Sequence, residues 1–282
     1  MRKLIINADD FGRHLSVNRA IIQGHTSGCI TSASLMPSGC AFQDAIEKAA
    51  NFPSLGVGVH FTLIGEKTVL PPEQVPSLVN CDGRLHKEYP EFISRFFQGR
   101  IKLNEVRAEL TAQMEKVVSN GIAVAHIDSH QHLHVLPGII NIVLDIAAKY
   151  KIKALRIPAV PIGFTGGYPI KFSQLIGRSG LLFFAKLASV KAKRKNFKFP
   201  DHFFGIVAGG CLREECLLDI IRNLPHGVSE VMIHPGDNDQ VLSAECGWSH
   251  QFQEELHAVY SAQVAGLLRE NKIELASFRD FL

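Results

Sequence analysis

No run of about 18 apolar residues occurs in the 282-residue chain, so no membrane-spanning helix is expected. The apolar stretch in "MRKLIINADDFG" is cut short by two aspartates. It is too brief for the core of a secretory signal and reads instead as a first strand. None of the six cysteines (Cys29, Cys40, Cys81, Cys211, Cys216, Cys246) forms a C-x-x-C pair. That argues against a structural zinc site, and the spacing shows no disulfide framework. A cytoplasmic protein with reduced thiols is the expectation. Excess charge is lacking too: a net charge of +3 is too small to imply a nucleic-acid partner. No internal repeat or low-complexity segment is visible. What the chain does have is histidine, 13 residues of it, and neutral imidazole is both a common metal ligand and a common acid–base group.

Apolar content of 46% and charged content of 20% are those of a globular protein with a sizeable core. Short apolar runs alternate with helix-like segments. Strands are expected at Lys3–Asn7, Ile30–Met36, Gly56–Thr62, "AVAHIDS", "ALRIP", Glu230–Pro235 and Ile273–Phe278. Helices are expected at "VNRAIIQGHTSG", "AFQDAIEKAANF", Asn104–Asn120 and "IINIVLDIAAKY". In Asn104–Asn120 the residues Val106, Leu110, Met114 and Val117 share one side. Such alternation implies parallel β-α units, with right-handed connections. The expected fold is α/β, a closed or nearly closed β/α barrel forming a single domain over 1–282, with an open doubly wound sheet as the alternative. Two segments interrupt the pattern: a proline-rich loop at Glu66–Arg84, and an insertion at Ile162–Phe199. The insertion's middle, "LIGRSGLLFFAKLASV", has the pattern of an amphipathic helix, and its tail carries Lys191, Lys193, Arg194, Lys195 and Lys198. The default reading is a barrel helix with a solvated basic end. The sharper one is an apolar and basic patch in peripheral contact with an anionic membrane.

Polar clusters recur where the strands should end: "NADDFG" with Asp9 and Asp10, "GVHFT" with His60, "HIDSHQHLH", and "MIHPGDND" with His234. In parallel β/α folds these ends converge, and active sites lie there. If "HIDSHQHLH" is a strand, alternation places His126, Asp128, His130, His132 and His134 on one face. Spacing alone does not choose among its histidines. The others would orient a ligand through hydrogen bonds, as Asp128 is suited to do, or contact substrate. "DD" on its own is more simply a turn with Asp10 capping a helix, and a lone His60 in an apolar strand is more simply a core residue. Together on one rim they suggest two histidines and a carboxylate around a cation with open positions, which is a catalytic arrangement. Metal-assisted hydrolysis and non-haem iron oxygenation both use it. A spare carboxylate beside the metal favours hydrolysis, and His234 is placed to protonate a leaving group.

In order and spacing, "NADDFG", "GVHFTL", "HIDSHQHLH" and "VMIHPG" resemble the YdjC-like carbohydrate deacetylases, over Leu4 to about Phe278. That group includes chitooligosaccharide deacetylases and a hopanoid-biosynthesis branch. The resemblance implies an irregular (β/α) barrel of the NodB and glycoside hydrolase/deacetylase kind. It also implies one divalent metal ion (Mg2+ or Zn2+) and removal of acetyl from an N-acetylated amino sugar. By the same resemblance Asp10, His60 and His130 are the metal ligands, Asp9 the general base and His234 the acid. His126, Asp128, His132 and His134 then support the site or contact substrate. The sugar-deacetylating members lack much of Ile162–Phe199, and "FPDHFFG" is closer to the hopanoid branch. This implies a lipid-linked amino sugar and peripheral contact with the inner membrane. A phosphodiesterase or other hydrolase on the same scaffold is one rival. A non-catalytic module binding sugar or metal is the other. A homo-oligomer is compatible with the sequence, which does not encode the oligomeric state legibly.

Overall fold

The computed structural model of the chain describes residues 1–159, 172–206, 210–247 and 250–281. These form strands β1 (Arg2–Phe11), β2 (Ser32–Leu35), β3 (Gly56–Phe61), β4 (Ile127–Ser129), β5 (His202–Phe204), β6 (Gly227–Ile233) and β7 (Glu274–Leu275). The helices are α1 (Leu15–Ser27), α2 (Phe42–Asn51), α3 (Tyr89–Phe97), α4 (Leu103–Ser119), α5 (Ile139–Lys149), α6 (Phe172–Arg194), α7 (Glu214–Arg222), α8 (Asp239–Cys246), α9 (Phe252–Tyr260) and α10 (Ala262–Glu270). Residues 162–171 of the expected insertion lie outside the described residues; its middle forms α6.

The sheet runs β4-β3-β2-β1-β6-β5, every pair parallel, with β7 added to the start of β1. β1 is buried from Leu4 to Phe11, as a central strand covered on both faces must be. The sheet curls into a half-barrel with helices outside, the irregular barrel expected. The seam between β4 and the chain leading into β5 is stitched by Ala154 and Leu155, which bridge Lys198 and Ile127 respectively. "ALRIP" is therefore a stitch and not the full strand expected. Pro158 has no amide N–H with which to extend the ladder. Strand β5, inside "FPDHFFG", is not signalled by the sequence pattern; a strand of three residues is too short to show alternation. Helix α3 is likewise unsignalled. The helix expected at Asn104–Asn120 is α4, and its inner residues Val106, Leu110, Met114 and Val117 are all fully buried.

A second departure sits at "HIDSHQHLH". Strand β4 ends at Ser129, and His130–Val135 forms a short helical turn. Within it Gln131 and His132 have φ of 51° and 57°, the left-handed region that non-glycine residues adopt rarely. The shared strand face expected for His126 through His134 therefore stops at Asp128, because the chain coils as soon as it leaves the sheet.

Candidate metal and active site

Strands β1, β3, β4 and β6 deliver polar residues to the same end of the sheet. At the end of β1 the pairing register to β2 slips between Ala8 and Phe11, and Asp10 takes φ 65°. The bulge re-aims the chain, so both aspartates face inward where a regular strand would oppose them. Asp9 and Asp10 are 2% and 3% exposed. The helix-cap alternative for Asp10 fails, since the N-cap of α1 is His14, whose Nδ1 accepts from the Ser16 N–H.

Asp10, His60 and His130 each offer a donor atom within 4.8 Å of the others, and all three are buried. His60 Nε2 lies 3.5 Å from Asp10 Oδ1, and His130 Nδ1 lies 3.0 Å from the same oxygen. The opposite nitrogen of His60, Nδ1, donates to Asp128 Oδ1 at 2.8 Å. A carboxylate accepts only, so this bond fixes the tautomer and aims Nε2 at Asp10, the arrangement that holds a metal-bound imidazole. A second trio, Asp9, His60 and Asp128, is equally close. It shares His60, and its carboxylates are already engaged by Arg156 at 2.6 Å.

Arg156 is the centre of the buried charge. Fully buried, it donates through Nη1 and Nη2 to the two oxygens of Asp9 (2.6 and 2.7 Å), and through Nε to Glu230 Oε1 at 2.7 Å. Its Nη1 also lies 2.6 Å from Asp128 Oδ2. Asn7 and Ser34 complete the lattice: Asn7 Nδ2 donates to Asp9 Oδ1 and to Ser34 Oγ, and Ser34 Oγ donates to Asp128 Oδ2, each at 2.8 Å. On the solvent side Arg13 Nη1 holds Asp10 Oδ2 at 2.9 Å, and its Nε is 3.7 Å from Glu66.

Asp9, Asp10, Asp128 and Glu230 are four buried carboxylates. The guanidiniums that pair with them are those of Arg156 and Arg13. Among the described residues this leaves a surplus of carboxylates, which fits a divalent cation, and the donor set of two imidazoles and one carboxylate fits its ligands. Without a cation, protons must make up the difference. Burial works against a charged His60, but Asp128, Asp9 and Asp10 outweigh it and raise the ring to about 9. Burial lifts Glu230 to about 7 against the pull of Arg156. Burial likewise opposes ionisation of Asp10, yet His130 and Arg13 hold it well below the usual carboxylate range.

A testable consequence concerns proton release. A liganding imidazole must be neutral, so below about pH 9 a cation has to displace the His60 proton. Calorimetric titration of the metal-free protein in two buffers of different ionisation enthalpy should show release of about one proton at neutral pH. Apparent metal affinity should rise with pH up to about 9. An affinity flat across that range would contradict the assignment of His60.

The remaining histidines of "HIDSHQHLH" are buried. His126 stacks on Phe278 with centroids 3.8 Å apart and meets Ser34 Oγ at 3.1 Å. Burial lowers it to about 3, so it is neutral. Its ring occupies the space over Gly58, where a Cβ would collide with it. His134 donates from Nε2 to the Arg156 carbonyl at 2.9 Å and pairs through Nδ1 with Ser129 Oγ at 2.7 Å. It therefore anchors the backbone of the central arginine. His132 lies edge-on to Phe203 at 5.6 Å, and burial drops it well below its ordinary value. His234, directly after β6, shares a cleft with Asp9, Asp10, Arg13, His14 and Glu245. Its backbone N–H donates to Glu255 at 2.5 Å, its Nδ1 has no hydrogen-bond partner among the described residues, and the His250 ring lies 5.7 Å away.

Strand-end motifs do not single out Arg156, Glu230, Arg13 or His250, all of which the fold brings to the site. A signal for the first two is present all the same. A lone arginine in "ALRIP" and a lone glutamate in "EVMI" are charges inside apolar runs, and such charges are buried only when paired.

The chain matches known proteins over nearly its whole length. The profile described as "YdjC-like protein" matches residues 3–270. A protein of Brevibacillus brevis named carbohydrate deacetylase is 29% identical over 279 residues, covering 99% of each chain. One of the same name from Geobacillus stearothermophilus is 28% identical, covering 99% of this chain and 98% of its own. A crystal structure from Enterococcus faecalis, presented as a candidate cellobiose-phosphate cleavage protein, superposes with a TM-score of 0.81 at 28% identity, covering 99% of this chain and 98% of that one. The strand-end motifs, the half-barrel and the extent of these matches place this chain in the YdjC-like protein family.

Proposed function

We propose that this chain is a metal-dependent hydrolase that removes the acetyl group from an N-acetylated amino sugar. The observation that carries the reading is the Asp10–His60–His130 cluster, with Asp9 and His234 facing the same cleft. The names of the Brevibacillus and Geobacillus relatives support the reaction class. Asp10, His60 and His130 would hold a divalent ion, which would supply Lewis acidity at the cleft; the histidine donors suit zinc, and a carboxylate suits magnesium. Asp9, oriented by Arg156 and Asn7, takes a proton from the attacking water. As the water oxygen bonds to the amide carbon and the C–N bond breaks, His234 delivers a proton to the departing nitrogen. Acetate and a free amine result. Asp128 holds the tautomer of His60, and His126, His132 and His134 hold the frame. A lipid-linked sugar, met at the cytoplasmic side of a membrane, is the finer substrate assignment.

The test is mass spectrometry of products from soluble and lipid-linked N-acetylated sugars, with and without chelator. Loss of one acetyl group, abolished by chelation, is the expected result. The description of the Enterococcus structure favours one second reading, cleavage of a sugar phosphate. Cleavage products of a sugar phosphate, without acetate release, would establish it instead.

His60→Ala and His130→Ala are expected to lose metal first, with retention falling about 10- to 100-fold or more. Elemental analysis after gel filtration measures this. Full occupancy in both variants would remove the ligand assignment.

A further inference from the structure

We propose that the outer face of α6, with the end of α3, is a docking surface for an anionic lipid bilayer. Residues 146–200 contain twelve lysines and arginines and no aspartate or glutamate, in a chain whose net charge is only +3. Helix α6 lies within this stretch. Its inner side is small and buried: Ala185, Ala188 and Ala192. Its outer side carries Phe183, Leu187 and Val190, spaced by four and three residues, and these are 59%, 47% and 48% exposed. Such spacing makes one stripe along a helix. The stripe continues onto α3. The Phe183 and Phe184 rings are 5.4 Å apart, and Phe184 stacks at 6.0 Å on Phe97, itself 57% exposed.

Scattered apolar residues on a surface need no explanation, but contiguous exposed rings do. The flanks say what covers them. Lys186, Lys193 and Arg194 are exposed beside the stripe, and long basic side chains can lay their stems on apolar surface while their heads meet phosphate. An apolar stripe flanked by cations, on a helix without a single acidic residue, matches a surface that is anionic at the headgroup and apolar beneath it. A nucleic acid would satisfy the cations and leave the rings in water. No helix among the described residues is long and apolar enough to cross a membrane, so the contact is peripheral. Helix α6 packs on the turn that carries His130. A bilayer docked on the outer face of α6 is therefore one helix away from that turn; that it presents a lipid-linked substrate rests on the proposed reaction.

The test uses the full metal-loaded chain in co-sedimentation with vesicles of phosphatidylcholine alone and of phosphatidylcholine with phosphatidylglycerol. About tenfold or greater preference for the anionic vesicles is expected, reduced by salt. Phe183→Ser with Leu187→Ser should lose most of the binding. Lys186→Glu with Lys193→Glu should lose the preference. Circular dichroism, and activity on a water-soluble substrate, should be unchanged in both, since these side chains are exposed and outside the cleft. Equal binding to both vesicle types, no binding, or binding unaffected by the serine pair would overturn the proposal. So would stronger capture by duplex DNA, or dimerisation abolished by the same serines. Vesicle binding is read without substrate, so it fails or stands separately from the deacetylase reading.

Discussion

Asp9→Asn should lower turnover by about 10^3-fold, within the range of about 10^2 to 10^4 that a positioned general base contributes, with metal still bound. The substitution is nearly isosteric, so the cleft keeps its shape. Both Asp9 oxygens accept from Arg156. Asparagine keeps one of these bonds, sets its NH2 against the other Arg156 N–H, and has no basic carboxylate to take a proton. Arg156 keeps Asp128 and Glu230 at 2.6 and 2.7 Å, so its charge stays compensated and the fold should persist. The measurements are kcat on whichever acetylated sugar proves active, and metal content of the same sample. A fall in kcat with KM and metal content nearly unchanged is the signature of a group acting in the transition state. Turnover within a few-fold of the parent would transfer the base to another residue. Loss of metal together with turnover would make Asp9 a ligand.

Arg156→Met should destabilise the metal-free protein by about 3–5 kcal/mol, the cost of breaking a buried charge network by removing one partner. The methionine fills part of the space but leaves Asp9, Asp128 and Glu230 facing one another without a cation. These groups cannot all stay ionised in a site closed to solvent. Urea denaturation in the presence of chelator measures the loss. Saturating divalent metal should recover part of it, because a cation supplies charge to the same carboxylates. If Arg156→Met were as stable as the parent with chelator present, the surplus-charge account of the site would be wrong. Arg156→Lys is the finer probe. Lysine keeps one charge but cannot present the paired donors that hold both oxygens of Asp9. It should preserve much of the stability while costing turnover.

Much of the site is legible in the order of its motifs. Asp9, Asp10, His60 and His234 each follow or end an apolar run, and in a parallel β/α arrangement such positions meet at one end; the choice of His130 within its segment comes from the family resemblance and not from spacing. The inner face of α4 is equally legible, because helical period and burial coincide there. The segment "HIDSHQHLH" is not. Period-two alternation holds only while the strand lasts, which is to Ser129, and the left-handed residues Gln131 and His132 break it. Nothing local forbids a longer strand; the packing of the turn against α6 and α5 selects the coil.

Hydrophobic period and chain order are local properties. They suffice to specify the class of fold, the rim on which chemistry gathers and the residue types present there. Which histidine faces a carboxylate, and which is walled into the core, is settled by the folded arrangement alone. Burial and partner set the protonation of an imidazole, and both are supplied by residues far away in sequence. Thus Asp128, 68 positions from His60, fixes that ring's tautomer, while His126 lies under Phe278 as a neutral core ring. The arginine that orders the carboxylates arrives from 147 residues beyond Asp9.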